Sequence, residues 1–395
     1  MIINYKNMTN LPFINKKHVI YVISTLYLFI TGCSDASVDA NIMMYDINTD
    51  SYHFDIATIE TLSDINKLQG RATSLKGGTA MTLNYIKQNI SWQHVGRPVA
   101  FGFSTKKNVI YSEDFGSLAM ISTYYNIEQA MLFFENIGMP QGLTGTLDTY
   151  YHPDIKEVYS DPVTGEETVL PGFDNAFYLS ISKNDRAFYV LPFKYITTLP
   201  LSMNIGVITH EYTHSVFDIL VLDKRGESTV ASTGTSVNYL SALNEGLADT
   251  MAVAYTGDPD YMTHSIDDIS ITRDASKIII YNYYYDLNAE NNQGLFFDPY
   301  EIGAFVSSIF YALEQKIDKI DAGSKTIPKE QTRYNVAADV YKTIKNMGDT
   351  NTADFVLDDF LNLFTQTVTP QYKTYFCDIL RDRYAINFVR ITSCD

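Results

Sequence analysis

The rhythm of apolar and polar residues changes once along the chain, near residue 200. From about residue 95 to 200 they alternate between turn signals. Val99–Phe103, Ala176–Ile181 and Ala187–Leu191 read as strands, since alternate side chains of a half-buried strand meet the core. One helix interrupts them, Met120–Glu135, with Gly138 just past its end. Asp161–Glu166 carries Pro162 and Gly165 and reads as a loop or hairpin tip. From Ile205 onward the apolar spacing is helical and predicts helices over about 205–222, 241–256, 300–319, 333–347 and 353–367. Residues 34 to about 90 are polar and mixed, and their pattern assigns no element. There is no internal repeat and no low-complexity linker. The pattern predicts an α+β protein with a β-rich N-terminal part and an α-helical C-terminal part.

The first 32 residues stand apart from this. Lys6, Lys16 and Lys17 precede an apolar run, HVIYVISTLYLFITGC, and no acid occurs before Asp35. The run is too short for a comfortable membrane span and right for the apolar region of an export signal. Its end, Ile30-Thr31-Gly32-Cys33, resembles a bacterial lipobox. That resemblance implies cleavage before Cys33, a lipid on its sulfur and an extracytoplasmic protein anchored to a membrane. The alternative is ordinary signal cleavage nearby. Ser34 favours the outer membrane in a host that has two.

Composition narrows the function. The 395 residues are 46% hydrophobic, enough for a large packed core and more than one domain. The formal charge is −17, and losing the three leader lysines takes it to −20. No Lys/Arg run exceeds a doublet, so nucleic acid is not an expected partner. The 30 tyrosines, in runs such as Tyr283-Tyr284-Tyr285, read as packing. Apart from Cys33 the cysteines are Cys377 and Cys394. In an exported chain they favour a disulfide, of about 3 kcal/mol by loop closure, over two free thiols. No other Cys or His lies near them to complete a metal site.

The stretch HEYTH, residues 210–214, carries the chemistry. His210 and His214 are spaced i, i+4, which on a helix stacks two imidazoles on one face and suits one Zn²⁺. Glu211 lies beside them as a candidate general base. Flanking Ile205, Val207, Ile208, Val216, Phe217, Ile219 and Leu220 predict a buried helix. The pattern alone recurs by chance. The next helix, Leu243-Asn-Glu-Gly-Leu-Ala-Asp249, adds Glu245 and Asp249, again i, i+4. Glu245 is a third ligand candidate. Asp249 is placed to accept the outer N–H of a ligand histidine. The alternative, two solvated surface carboxylates, conflicts with apolar Leu243, Leu247, Ala248, Met251, Ala252 and Val253 around them.

HEYTH followed by NEGLAD about 30 residues later resembles the gluzincin zinc metallopeptidases, in particular their thermolysin-like and fungalysin-like branch. The resemblance implies a two-lobed fold, with the zinc helix at the junction. It implies His210, His214 and Glu245 as zinc ligands, Glu211 as general base and Asp249 supporting a ligand. Asn175 and Ala176, in Asp174-Asn-Ala-Phe-Tyr178, resemble the edge-strand segment that pairs with substrate backbone. Arg273, in Ser270-Ile-Thr-Arg-Asp, resembles the family arginine that touches a substrate carbonyl and the acidic shell. The implied division is a leader (1–32), an unassigned segment (33–94), a β-rich catalytic lobe (95–222) ending in the HEYTH helix, and an α-helical lobe (223–395).

The chain also departs from the family. Tyr300 stands where the oxyanion-stabilising histidine would be; a phenol can donate there, with Tyr239 as a fallback, while nothing around His264 matches. Gly206 replaces an acidic calcium ligand, so no calcium is predicted. Residues 34–90 are too few for the long propeptide usual in the family. Together the residues imply a single-chain zinc metalloendopeptidase acting on peptides or proteins, since no acidic N-terminus-binding motif precedes HEYTH. The rival is a zinc-containing surface lipoprotein whose cleft binds peptide without cutting it. The retained Glu211 weighs against that.

Overall fold

The computed structural model describes residues 37–394, apart from 85–88, 161–165, 184, 194–197, 227–234, 267–272, 292–296, 325–327 and 351–354. The leader and Cys33 lie outside the described residues. Among those described, no helix is long and apolar enough to cross a membrane. Strands occupy the N-terminal part and helices the C-terminal part, an α+β arrangement.

The strands in chain order are β1 (Val38–Asp46), β2 (Ser51–Ile59), β3 (Leu62–Asp64), β4 (Gln69–Gly70), β5 (Thr73–Gly77), β6 (Ala80–Asn84), β7 (Asn89–His94) and β8 (Arg97–Pro98). They continue with β9 (Phe103–Lys106), β10 (Val109–Ser112), β11 (Leu147–Tyr151), β12 (Asp154–Ser160), β13 (Glu167–Pro171), β14 (Ala176–Ser182) and β15 (Asp185–Val190). They form three sheets: β2-β1-β10-β9, β13-β12-β6-β7, and β14-β15-β11-β5-β4-β3 with β8 beside β5. Each sheet mixes strands from before and after residue 95. The segment that showed no pattern is therefore strand, woven into the same sheets as its successor. Its pattern is weak where few side chains are buried. In β2 only Ala57 and Ile59 are.

Strands β14 and β15 match the expected segments, and β12 and β13 pair antiparallel across 161–165 as a hairpin requires, though the tip lies outside the described residues. The expected strand at Val99–Phe103 does not form. Pro98 ends β8 and cannot donate to a ladder, while Val99 and Phe101 bury their side chains from a loop. Phe101 stacks on Phe103, the first residue of β9.

The first helix, α1 (Phe115–Asn136), starts one turn before the expected one, because the Asp114 carboxylate caps it by accepting Ser117 N–H at 2.7 Å. The helix that carries HEYTH, α2 (Ile205–Phe217), is capped by Asn204, whose Oδ1 accepts from Gly206 and Val207 N–H. Every residue of α2 but His214 is buried. A π-turn, Asp218–Leu222, and a last turn, Asp223–Arg225, extend it to Gly226, whose φ of 70° suits glycine. Then follow α3 (Thr235–Thr256), α4 (Tyr283–Asn291), α5 (Pro299–Ser324), α6 (Lys329–Gly348), α7 (Leu357–Thr367) and α8 (Pro370–Arg383).

Helix α8 was not expected; Pro370 opens it, and it buries Tyr372, Phe376, Ile379 and Leu380. Cys377 on this helix and Cys394 are joined in a disulfide, with Cα atoms 5.7 Å apart. Gly246 and Gly303 bring α3 and α5 into backbone contact. A Cβ on Gly246 would fall 2.6 Å from the Gly303 carbonyl oxygen. That approach holds Glu245, beside Gly246, at a fixed depth against α2.

Candidate metal centre

The His210 and His214 Nε2 atoms lie 3.0 Å apart on α2. Glu245, from α3, brings Oε2 to 3.4 Å from His210 Nε2 and Oε1 to 3.7 Å from His214 Nε2. The three residues, His210 buried and His214 and Glu245 partly so, form a group able to hold a metal ion. Ligand atoms bound to zinc at 2.0–2.1 Å sit about 3.3 Å apart, and the three separations bracket that spacing.

The outer nitrogens decide what the inner ones offer. His214 Nδ1 lies 2.9 Å from Asn244 Oδ1, an acceptor, so Nδ1 carries the proton and Nε2 a lone pair. His210 Nδ1 lies 3.0 Å from Asp249 Oδ1, which fixes the same tautomer. The Tyr261 hydroxyl donates to that same Asp249 oxygen at 2.7 Å and lies 3.2 Å from His210 Nδ1. Two nitrogen lone pairs and a carboxylate thus face one another, an arrangement that calls for positive charge between them. A proton on His210 meets the same demand: burial opposes it, but Asp249 and Glu245 outweigh that and lift the imidazole to about 9, so a metal ion must displace this proton to gain the Nε2 lone pair. Burial likewise works against the Glu245 carboxylate, yet His214, His210 and Arg273 hold it well below the usual carboxylate range. This donor set fits zinc.

Arg273 closes the acidic side. It donates from Nη1 to Glu245 Oε2 at 3.0 Å, and its Nε lies 3.3 Å from Asp249 Oδ2. Its guanidinium lies 4.4 Å from the centre of the Tyr300 ring, a cation–π contact. Burial opposes its charge, but Asp249, Tyr261 and Glu245 keep it protonated. Tyr300 is 46% exposed and lines the cleft mouth. The Glu245 charge, then burial, pushes its phenol pKa up, so the hydroxyl keeps its proton and can donate. Tyr239, the fallback, turns elsewhere: its hydroxyl donates to Asp286 at 2.7 Å, and it is not among the described residues lining the cleft.

Glu211 is buried, and burial pushes its carboxyl up. Its Oε2 accepts the backbone N–H of Tyr178 at 2.7 Å. Tyr178 belongs to β14, the terminal strand of its sheet, so the free strand edge runs past the metal centre. Ala176, like Tyr178, has its backbone on that free edge by antiparallel alternation. Asn175 does not: its carbonyl accepts from Leu191 N–H on the β15 side, and its side-chain oxygen takes the Ala176 N–H at 2.9 Å. A cleft of roughly 560 Å³ is lined by these residues together with Val207, Met262 and Ile266. Tyr178 is held from behind by its hydroxyl bond to Asp218, which also receives Arg186 Nε.

Asn244 and Tyr261 carry no role in the sequence reading. Asn244 was detectable as the polar neighbour of Glu245, one position round the helix. Tyr261 was not, since nothing in its spacing shows that the chain after α3 folds back over Gly206. Comparison with models of known protein families gives no match, and none of the curated proteins is similar in sequence.

Proposed function

We propose that this chain is a zinc-dependent metalloendopeptidase of the gluzincin type, with the two-lobed thermolysin-like architecture, anchored outside a bacterial membrane through a lipid on Cys33. The observation that carries the reading is the convergence of His210, His214 and Glu245 lone pairs beside Glu211, at the foot of a free strand edge. When bound there, zinc supplies a Lewis acid that polarises a peptide carbonyl and lowers the pKa of water. Glu211 takes a proton from the attacking water and gives it to the leaving amine nitrogen. Its Oε2 is held by Tyr178 N–H, which leaves Oε1 for that proton. Arg273 and Tyr300 supply hydrogen-bond donors for the charge that develops on the carbonyl oxygen. The β14 edge, with Ala176 at its start and the Asn175 side chain just before it, aligns the substrate backbone.

The test is hydrolysis of casein and of a broad quenched-peptide library by the purified chain. Cleavage that a chelator abolishes and added zinc restores supports the proposal. Cleavage indifferent to chelation sinks it.

A further inference from the structure

A second group of metal-type donors lies away from the cleft. Asp50 sits at the tip of the β1–β2 hairpin, Asp258 two residues past α3, and His264 at the end of a 3₁₀ turn, Tyr261–His264. His264 Nε2 is 3.1 Å from Asp258 Oδ2 and 3.4 Å from Asp50 Oδ1, and the three donor atoms lie within 4.8 Å of one another. The two separations from His264 Nε2 are close to the edge of a zinc tetrahedron, about 3.3 Å.

The donors are held in place. The Asp258 side chain is only 10% exposed, and its Oδ1 accepts Asp260 N–H at 2.9 Å, which leaves Oδ2 for the group. Asp50 Oδ1 accepts the Tyr45 hydroxyl at 2.9 Å. The rings of Tyr45 and Tyr52 stand edge-on to His264, with centroids 5.6 and 5.3 Å away, and fix the imidazole. Nearby, Asp260 Oδ1 is buried without a hydrogen-bond partner among the described residues. Two carboxylates therefore meet one imidazole, with a third, Asp260, two residues along the chain from Asp258.

We propose that Asp50, Asp258 and His264 bind a second divalent cation, which joins the β1–β2 hairpin to the chain that follows α3. A ligand nitrogen favours a borderline ion such as zinc, since calcium takes oxygen donors. Asp50 is 70% exposed, so water has access to complete the coordination. The ion acts on the first centre through packing: Tyr52, beside His264, donates its hydroxyl to Asn204, the cap of α2, at 2.9 Å. This inference does not rest on the peptidase reading.

Zinc content per chain tests it. The full chain carrying Glu211→Gln, which prevents self-digestion, is equilibrated with zinc and freed of unbound ion by gel filtration. Two zinc ions per chain are expected. Adding His264→Ala reduces this to one, and so does Asp50→Asn, an exposed change that keeps the test open if His264→Ala does not fold. The zinc-dependent rise in melting temperature shrinks with each. Equal zinc content in the parent and both variants overturns the proposal. His210→Ala in the same background separates the two sites. If it loses no zinc while His264→Ala loses one, the first centre falls and the second stands.

Discussion

The Tyr261 ring lies against Gly206 so closely that a Cβ on Gly206 would fall 2.4 Å from Tyr261 Cδ2. The missing side chain in the first turn of α2 is what lets the phenol reach Asp249 and His210. Gly206→Ala is therefore expected to destabilise the protein by about 1–3 kcal/mol through overpacking, and to weaken zinc binding with it. Denaturant midpoints and a zinc titration check both. Unchanged zinc affinity would show that Tyr261 does not position His210.

Tyr261→Phe isolates the hydroxyl, because it keeps the ring and its packing. Asp249 loses a 2.7 Å hydrogen bond and His210 a neighbour at 3.2 Å. Zinc affinity is expected to fall about tenfold, as for other groups that orient a ligand histidine. Competition with a zinc-chelating dye measures it.

The two carboxylate and imidazole pairs were legible in the sequence because i, i+4 spacing fixes a helix face without any tertiary information. The partners of those pairs were not. Asn244 meets His214, and Tyr261 meets Asp249, only through the way α3 and the chain after it cross α2. Among the N-terminal strands, β3, β4 and β8 escaped notice for another reason: they are two or three residues long, too short to show alternation. Helix α8 is polar on average, with lysine, arginine and aspartate among its buried aromatics, so its stripe was faint.

Glu314 on α5 is 1% exposed, and its Oε2 has no hydrogen-bond partner among the described residues. Burial lifts its carboxyl from 4.5 to about 8. A raised folded-state value means that the folded form holds the proton more tightly. The stability it contributes is complete below pH 4.5 and is lost as pH rises through about 8. Glu314→Gln stays neutral and is expected to flatten that fall, whose slope reaches up to about 1.4 kcal/mol per pH unit. Urea midpoints of both proteins at several pH values from 5 to 8 decide it. Parallel curves would contradict the assignment.

The Cys377–Cys394 disulfide closes a loop with a sequence separation of 17. Loop closure of that length is worth about 3 kcal/mol. Cys394→Ser is expected to lose that much stability while zinc content at the His210 centre is unchanged, since the loop lies in the C-terminal tail. Chemical denaturation with parallel metal analysis checks both halves.

Glu211→Gln bears most directly on the chemistry, because it removes the proton acceptor and keeps the shape of the side chain. Zinc content and hydrolysis of a peptide library are measured side by side with the parent chain. Undiminished zinc with hydrolysis lowered about 10²–10⁴-fold is the expected result. Zinc retained in both proteins, with neither cutting any peptide of a broad library, would contradict the peptidase reading and leave a cleft that binds without cleaving.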